Sequence, residues 1–142
     1  PTPPQPAEPR PSEPRGVVDE QFPETRMLDP GVWVVGLDEA NFVNDNLDSI
    51  IQDVRPRSQM NRETGQYEGI TLTNVPESSH AARRGFVAGD TVKSINGVPV
   101  RSTTDVVNYV RENKNLPQYV VVLVRQGQER TLTYRNPRYH ND

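Results

Sequence analysis

Side chains able to do chemistry are few and scattered along this chain. There are two histidines, His80 in the polar turn Ser78-Ser79-His80 and His140 near the C-terminus. Acid–base or nucleophilic catalysis needs a reactive group with its partners in hydrogen-bond reach, and neither histidine has such company in sequence. Their separation, with no carboxylate at ligand spacing and no Cys anywhere, does not describe a metal site. A Gly-x-Ser-x-Gly elbow and a Gly-rich phosphate loop ending in Lys are both missing. The carboxylates Asp38-Glu39 stand where a helix should start, and the helix dipole favours them there. Arg83-Arg84 reads as solvated charge at a helix end. The expectation is a chain with no catalytic residue, no metal site and no cofactor, in short not an enzyme.

The elements that frame these residues begin late. Seven of the 14 prolines lie between Pro1 and Pro14. Residues 1–30 hold three arginines against six carboxylates, which is the whole formal charge of −3; the remainder balances 13 bases with 13 acids. A neutral body argues against nucleic acid as a partner. No apolar run approaches the roughly 20 residues of a membrane span. Residues 1–15 carry one apolar side chain, Ala7, so ordering them would cost entropy without burial. They read as a polyproline spacer, although Pro3-x-x-Pro6 and Pro6-x-x-Pro9 also fit ligands of SH3-like domains. Val17, Val18, Phe22, Met27 and Leu28 could dock on the body. The start at Pro1 reads as a fragment cut from a longer protein.

From Gly31 the pattern is that of an α+β domain of five to six short strands and two main helices. Val32 to Val35 is a strand. Asp38 is expected to cap a helix whose stripe is Phe42, Val43, Leu47, Ile50 and Ile51, ending near Asp53 before Pro56. Arg57 to Gln66 reads as an exposed loop. Gly69 to Val75 is a strand with one buried face. Ser79 to Arg84 makes a helical turn stopped by Gly85. Thr91 to Ile95 is a strand, and Asn96-Gly97 turns it into Val98-Pro99-Val100. Ser102 opens a second helix, with Asp105 as a partial capping box and Val106, Val107 and Val110 inward. Tyr119 to Val124 is a strand apolar enough to be buried on both faces, and Thr131 to Tyr134 returns from it.

The segment Gly69-Ile70-Thr71-Leu72, followed by Ala81-Ala82, Gly85-Phe86, Gly89-Asp90 and Ile95-Asn96-Gly97, resembles a bacterial PDZ domain. The resemblance implies a small, partly open β-barrel or sandwich. Further upstream, a strand, Leu37-Asp38, a helix containing Asn44 and then Val54-Arg55-Pro56 are similar to the C-terminal PDZ region of general secretion pathway protein C, of bacterial type II secretion. The expected organisation is a Pro-rich, largely disordered linker over residues 1–30, the PDZ domain with its strand–helix segment over 31–136, and a disordered tail over 137–142. The resemblance also implies a periplasmic location, on a parent anchored in the inner membrane by a single span. The implied role is recruitment of a secreted substrate or machinery partner, without membrane contact by this region. A regulatory PDZ domain of an HtrA-like or site-2 envelope protease is the alternative.

The family places a peptide groove between the strand from Gly69 and the helix from Ser102. Strand addition would give affinity and side-chain pockets selectivity. Tyr67, Glu68, Gly69, Ile70, Thr71 and Leu72 would form one side, and Thr103, Val107, Val110 and Arg111 the other. Many relatives hold a C-terminal carboxylate with a Gly-apolar-Gly-apolar loop, and here Tyr67-Glu68 replaces its first pair. Glu68 would repel a carboxylate by about 1 kcal/mol, with Arg62 near enough in sequence to compensate. The expected ligand is therefore an internal or folded segment.

Overall fold

The computed structural model describes residues 17–18, 21–114 and 116–136. Residues 1–16, where the spacer was expected, and 137–142 with His140 lie outside the described residues. Nine strands and three helices follow in order: β1 (Val17–Val18), β2 (Arg26–Asp29), β3 (Val32–Val34), α1 (Leu37–Asp53), β4 (Pro56–Met60), β5 (Tyr67–Leu72), α2 (His80–Arg83), β6 (Thr91–Ile95), β7 (Val98–Pro99), α3 (Thr103–Glu112), β8 (Gln118–Arg125) and β9 (Gln128–Arg135). The strands form one mixed sheet in the order β1-β2-β3-β9-β8-β6-β5-β4, with β7 on β6. The pair β3–β9 is parallel and the rest antiparallel. The sheet does not close: β1 ends it on one side and β4 on the other.

The α+β class and the two main helices match expectation. The strand count is higher for two reasons. Residues 26–29 pair with β3 and bury Phe22 and Thr25 nearby, so the folded body begins before residue 30. Pro56 to Met60, inside the expected loop, is a strand paired with β5. β8 also differs from expectation: Val121 and Leu123 are fully buried, whereas Val120, Val122 and Val124 on the other face are half-buried.

Local chemistry explains the element ends. Gly36 caps α1 with no side-chain bond, and Asp38 Oδ1 accepts from the Glu39 amide, so Asp38 is not the cap. A Cβ on Gly36 would come 2.3 Å from Glu24 Cβ, which is why the chain is glycine there. α1 breaks at Asn46, whose Nδ2 donates to the Phe42 carbonyl. Ser79 and Ser102 do cap α2 and α3, accepting from Ala82 and Asp105 amides. Asp105 answers by accepting from the Arg101 amide. Asn96 and Gly97 take left-handed φ of 52° and 81°, as a primed hairpin turn requires. The core packs Trp33, Ile70, Leu72, Val92, Ile95, Val121, Leu123 and Leu132.

Candidate functional site

Two features converge beside α3: an open strand edge and an apolar cavity. β5, the strand expected to receive a partner, has both edges taken. Ile70 pairs with Ser58 of β4 on one side and Val92 of β6 on the other. The open edge lies one strand further out, on β4, and α3 packs beside it. β4 leaves no alternating signature in the sequence because an exposed edge strand needs none: Arg57, Gln59 and Met60 all face solvent. Pro56, which cannot donate to a ladder, opens the strand, where it does least harm.

Behind that edge lies a cavity of about 320 Å³ that opens to the surface. α1 contributes Val43, Ile50 and Ile51, α3 contributes Thr103, Val106 and Val110, and the sheet contributes Ile70, Leu72, Val92 and Val121. Because this space opens to the surface, solvent or a ligand can occupy it.

The expected site residues divide between these features. Ile70, Leu72, Thr103 and Val110 line the cavity, Ile70 and Leu72 also being core. Val107 is half-buried and does not line it. Arg111 reaches Asp48 of α1 at 3.4 Å, both side chains being largely exposed. Thr71 points elsewhere, its hydroxyl 2.8 Å from that of Thr91. Gly69 has φ of +106°, and a Cβ would meet the Val92 carbonyl at 2.8 Å, so it serves the ladder. Tyr67 and Glu68 lie at the turn end of the β4–β5 hairpin, away from the cavity. Exposed Tyr67 pairs with exposed Met60. Glu68 Oε1 accepts from Asn61 Nδ2 at 3.2 Å, so Asn61 and not Arg62 meets that carboxylate. The cavity residues of α1 and Val106 were visible as apolar stripes but carried no expected role.

At the N-terminal end of α1, in the wall of the same space, polar groups are locked together. Glu39 is 1 % exposed and Arg84 5 %. Glu39 accepts from Thr25 Oγ1 at 2.7 Å and Arg84 Nε at 2.6 Å, with Arg84 Nη2 adding a further bond. His80 Nε2 lies 2.7 Å from Glu39 Oε2. Burial pushes the Glu39 carboxyl up, but hydrogen bonds from His80 and Arg84, the Arg84 charge and the Thr25 hydroxyl outweigh it and hold it down to about 2. Arg84 is therefore not solvated helix-end charge, and His80 is not an idle surface histidine. Around this cluster Phe22 packs on Phe42 and His80, and Arg83 lies 5.6 Å above its ring. A second buried acid, Asp90, accepts from its own turn at the Val87 amide and from Arg125 at 2.8 Å. Both acids are saturated by their partners, an arrangement that fastens elements together and leaves no free base.

The family profile described as PDZ domain matches residues 31–134. No curated relative matches the sequence. Among solved structures, the PDZ domain of EpsC from Vibrio cholerae is similar at 17 % identity and TM-score 0.49, over 69 % of this chain and 91 % of that one. The HtrA-type protease AlgW, solved with a decapeptide, is similar at 23 % identity and TM-score 0.44, over 71 % of this chain and 34 % of that one.

Proposed function

The chain belongs to the PDZ domain family, and from that premise we propose that it is a non-catalytic protein-interaction module of a type II secretion inner-membrane component. It recruits a secreted substrate or a machinery partner at the periplasmic face of the membrane. The observation that carries the binding mode is the open outer edge of β4 beside α3. An extended segment pairs with β4, and its alternate side chains turn towards α3. Thr103, Val107, Val110 and Arg111 form the facing wall, and Ile70 and Leu72 the floor. Tyr67 and Met60 extend the contact at the hairpin turn. Among the described residues no helix is long and apolar enough to cross a membrane.

Amide chemical-shift mapping tests the reading. The labelled chain is titrated with a secreted substrate and with periplasmic domains of the secretion machinery. Shifts along Arg57–Met60 and the β4-facing side of α3 support it. A silent spectrum with every one of these partners contradicts the secretion role. Retained binding after Val107→Asp would contradict the groove.

A further inference from the structure

β8 carries more apolar surface than the core covers. Val121 and Leu123 point into the core, while Val120, Val122 and Val124 stand on the opposite face, half-buried and outside the core cluster. A solvated sheet face ordinarily places polar side chains there. Three successive valines on the outward side of a central strand mark a face that meets a partner. The polar groups beside them bond within the sheet. The Thr71 and Thr91 hydroxyls lie 2.8 Å apart, and Lys93 Nζ donates to the Glu68 carbonyl at 3.1 Å.

The strand register sets opposite charges at the two ends of this face. One row runs straight across five strands: Arg57 of β4, Thr71 of β5, Thr91 of β6, Val124 of β8 and Glu129 of β9. Its ends are four strand spacings apart, about 19 Å. Arg57 and Glu129 are both exposed, and among the described residues neither makes an ion pair. The next row, Pro99, Ser94, Val122 and Thr131, carries no charge. Such a face complements itself. A two-fold axis lying along β6 lays a second copy on it with the strand order reversed. Arg57 then meets Glu129 of the second copy at both ends. Thr91 meets its own equivalent, Thr71 meets Val124, and Val122 meets Pro99. The strand directions of the two sheets stay aligned, as in face-to-face sheet packing.

We propose that the outward face of β5, β6, β8 and β9 is the contact between two copies of this chain, related by a two-fold axis along β6. The chain's own residues outside the described ones bring only Ala7 and Tyr139 as apolar side chains besides proline, too little to cover the valine stripe. A second copy carries the matching charges in reverse order by symmetry, which an unrelated partner has no reason to do. A face about 19 Å wide and three residue rows long buries less than the ~1,200 Å² of a standard interface. The dimer is therefore weak and forms where chains are held close together. The backbone edge of β4 stays free in it, so the inference stands apart from strand addition and does not rest on it.

Sedimentation velocity and amide NMR of the whole chain, from about 20 µM to about 2 mM, test it. The sedimentation coefficient should rise with concentration, and the amides of Thr91, Val122 and Val124 should shift with it. Val122→Lys puts a charge in the middle of the face and should remove the concentration dependence, with unchanged amide shifts in α1 and α3 reporting the fold. Thr91→Lys, whose added charges meet across the axis, serves if that variant does not fold. Glu129→Arg and Arg57→Glu should each weaken self-association about tenfold. An equimolar mixture of those two variants should recover it, because each chain then offers the charges that the other lacks. The proposal is overturned by no concentration dependence in the unmodified chain, by shifts confined to β4 and α3, by undiminished association of Val122→Lys, or by a mixture no tighter than either variant alone.

Discussion

The two flanks of α1 are held by opposite means. On the side of α2 and the N-terminal segment, Thr25, His80 and Arg84 converge on the buried Glu39 carboxylate, with Phe22 and Phe42 packed around them and His80 Nδ1 left buried without a hydrogen bond. On the side of α3, an exposed ion pair, Asp48–Arg111, lies over an apolar space that opens to the surface. A buried pair is costly to break because it strands a charge, whereas an exposed pair is worth little. The first flank fixes where α1 sits. The second leaves room beside the open strand, where the proposed binding would take place. The lesson is that, among the described residues, a dense polar cluster serves as a fastening while the looser packing marks the proposed site.

The largest expected effect comes from breaking the tight flank. Glu39→Ala removes the carboxylate that faces the buried Arg84 guanidinium and should lower the unfolding free energy by about 3–5 kcal/mol, read from urea denaturation. A loss under about 1 kcal/mol would erase the contrast between the flanks. Acid should probe the same group. The Glu39 carboxyl is held at about 2 against an ordinary 4.5. Its contribution is complete above pH 4.5 and is lost as the pH falls from there through about 2, on the order of 3 kcal/mol in all. Glu39→Gln should flatten that part of the stability profile. A profile as steep in the variant as in the parent would move the acid-sensitive group elsewhere.

A smaller effect sits between the flanks. Gly69→Ala meets both a φ of +106° and the Val92 carbonyl, and should cost about 1–3 kcal/mol, seen as a lowered urea midpoint. It tests whether Gly69 serves the sheet and not a ligand: partner binding at temperatures where the variant is folded should persist. The smallest effect belongs to the loose flank. Arg111→Ala should change stability by no more than about 0.5 kcal/mol. A larger loss would show that the exposed pair, and not the cluster, seats α1.

The sequence made the helices and turns readable because their signals are local. The stripes of α1 and α3, the Ser79 and Ser102 caps and the Asn96-Gly97 turn each lie within one or two turns of chain. β4 was unreadable because an exposed edge has no buried face to leave a period in the sequence. Arg84 was misread because its partner Glu39 is 45 residues away and only the fold brings the two together. The same reason hid the site. Ile70, Leu72, Thr103 and Val110 were named from a family pattern, but the open edge depends on which strand ends the sheet, a property of pairing and not of any one segment. The cavity, likewise, is what side chains from α1, α3 and the sheet fail to fill together.

The most direct measurement is amide hydrogen exchange of the labelled chain with and without a saturating secreted substrate. The outward amides of Arg57–Met60 should exchange quickly in the free chain and slow by about tenfold or more on binding, while β5 stays protected throughout. Unchanged exchange across β4, with new protection appearing elsewhere, would contradict strand addition at this edge.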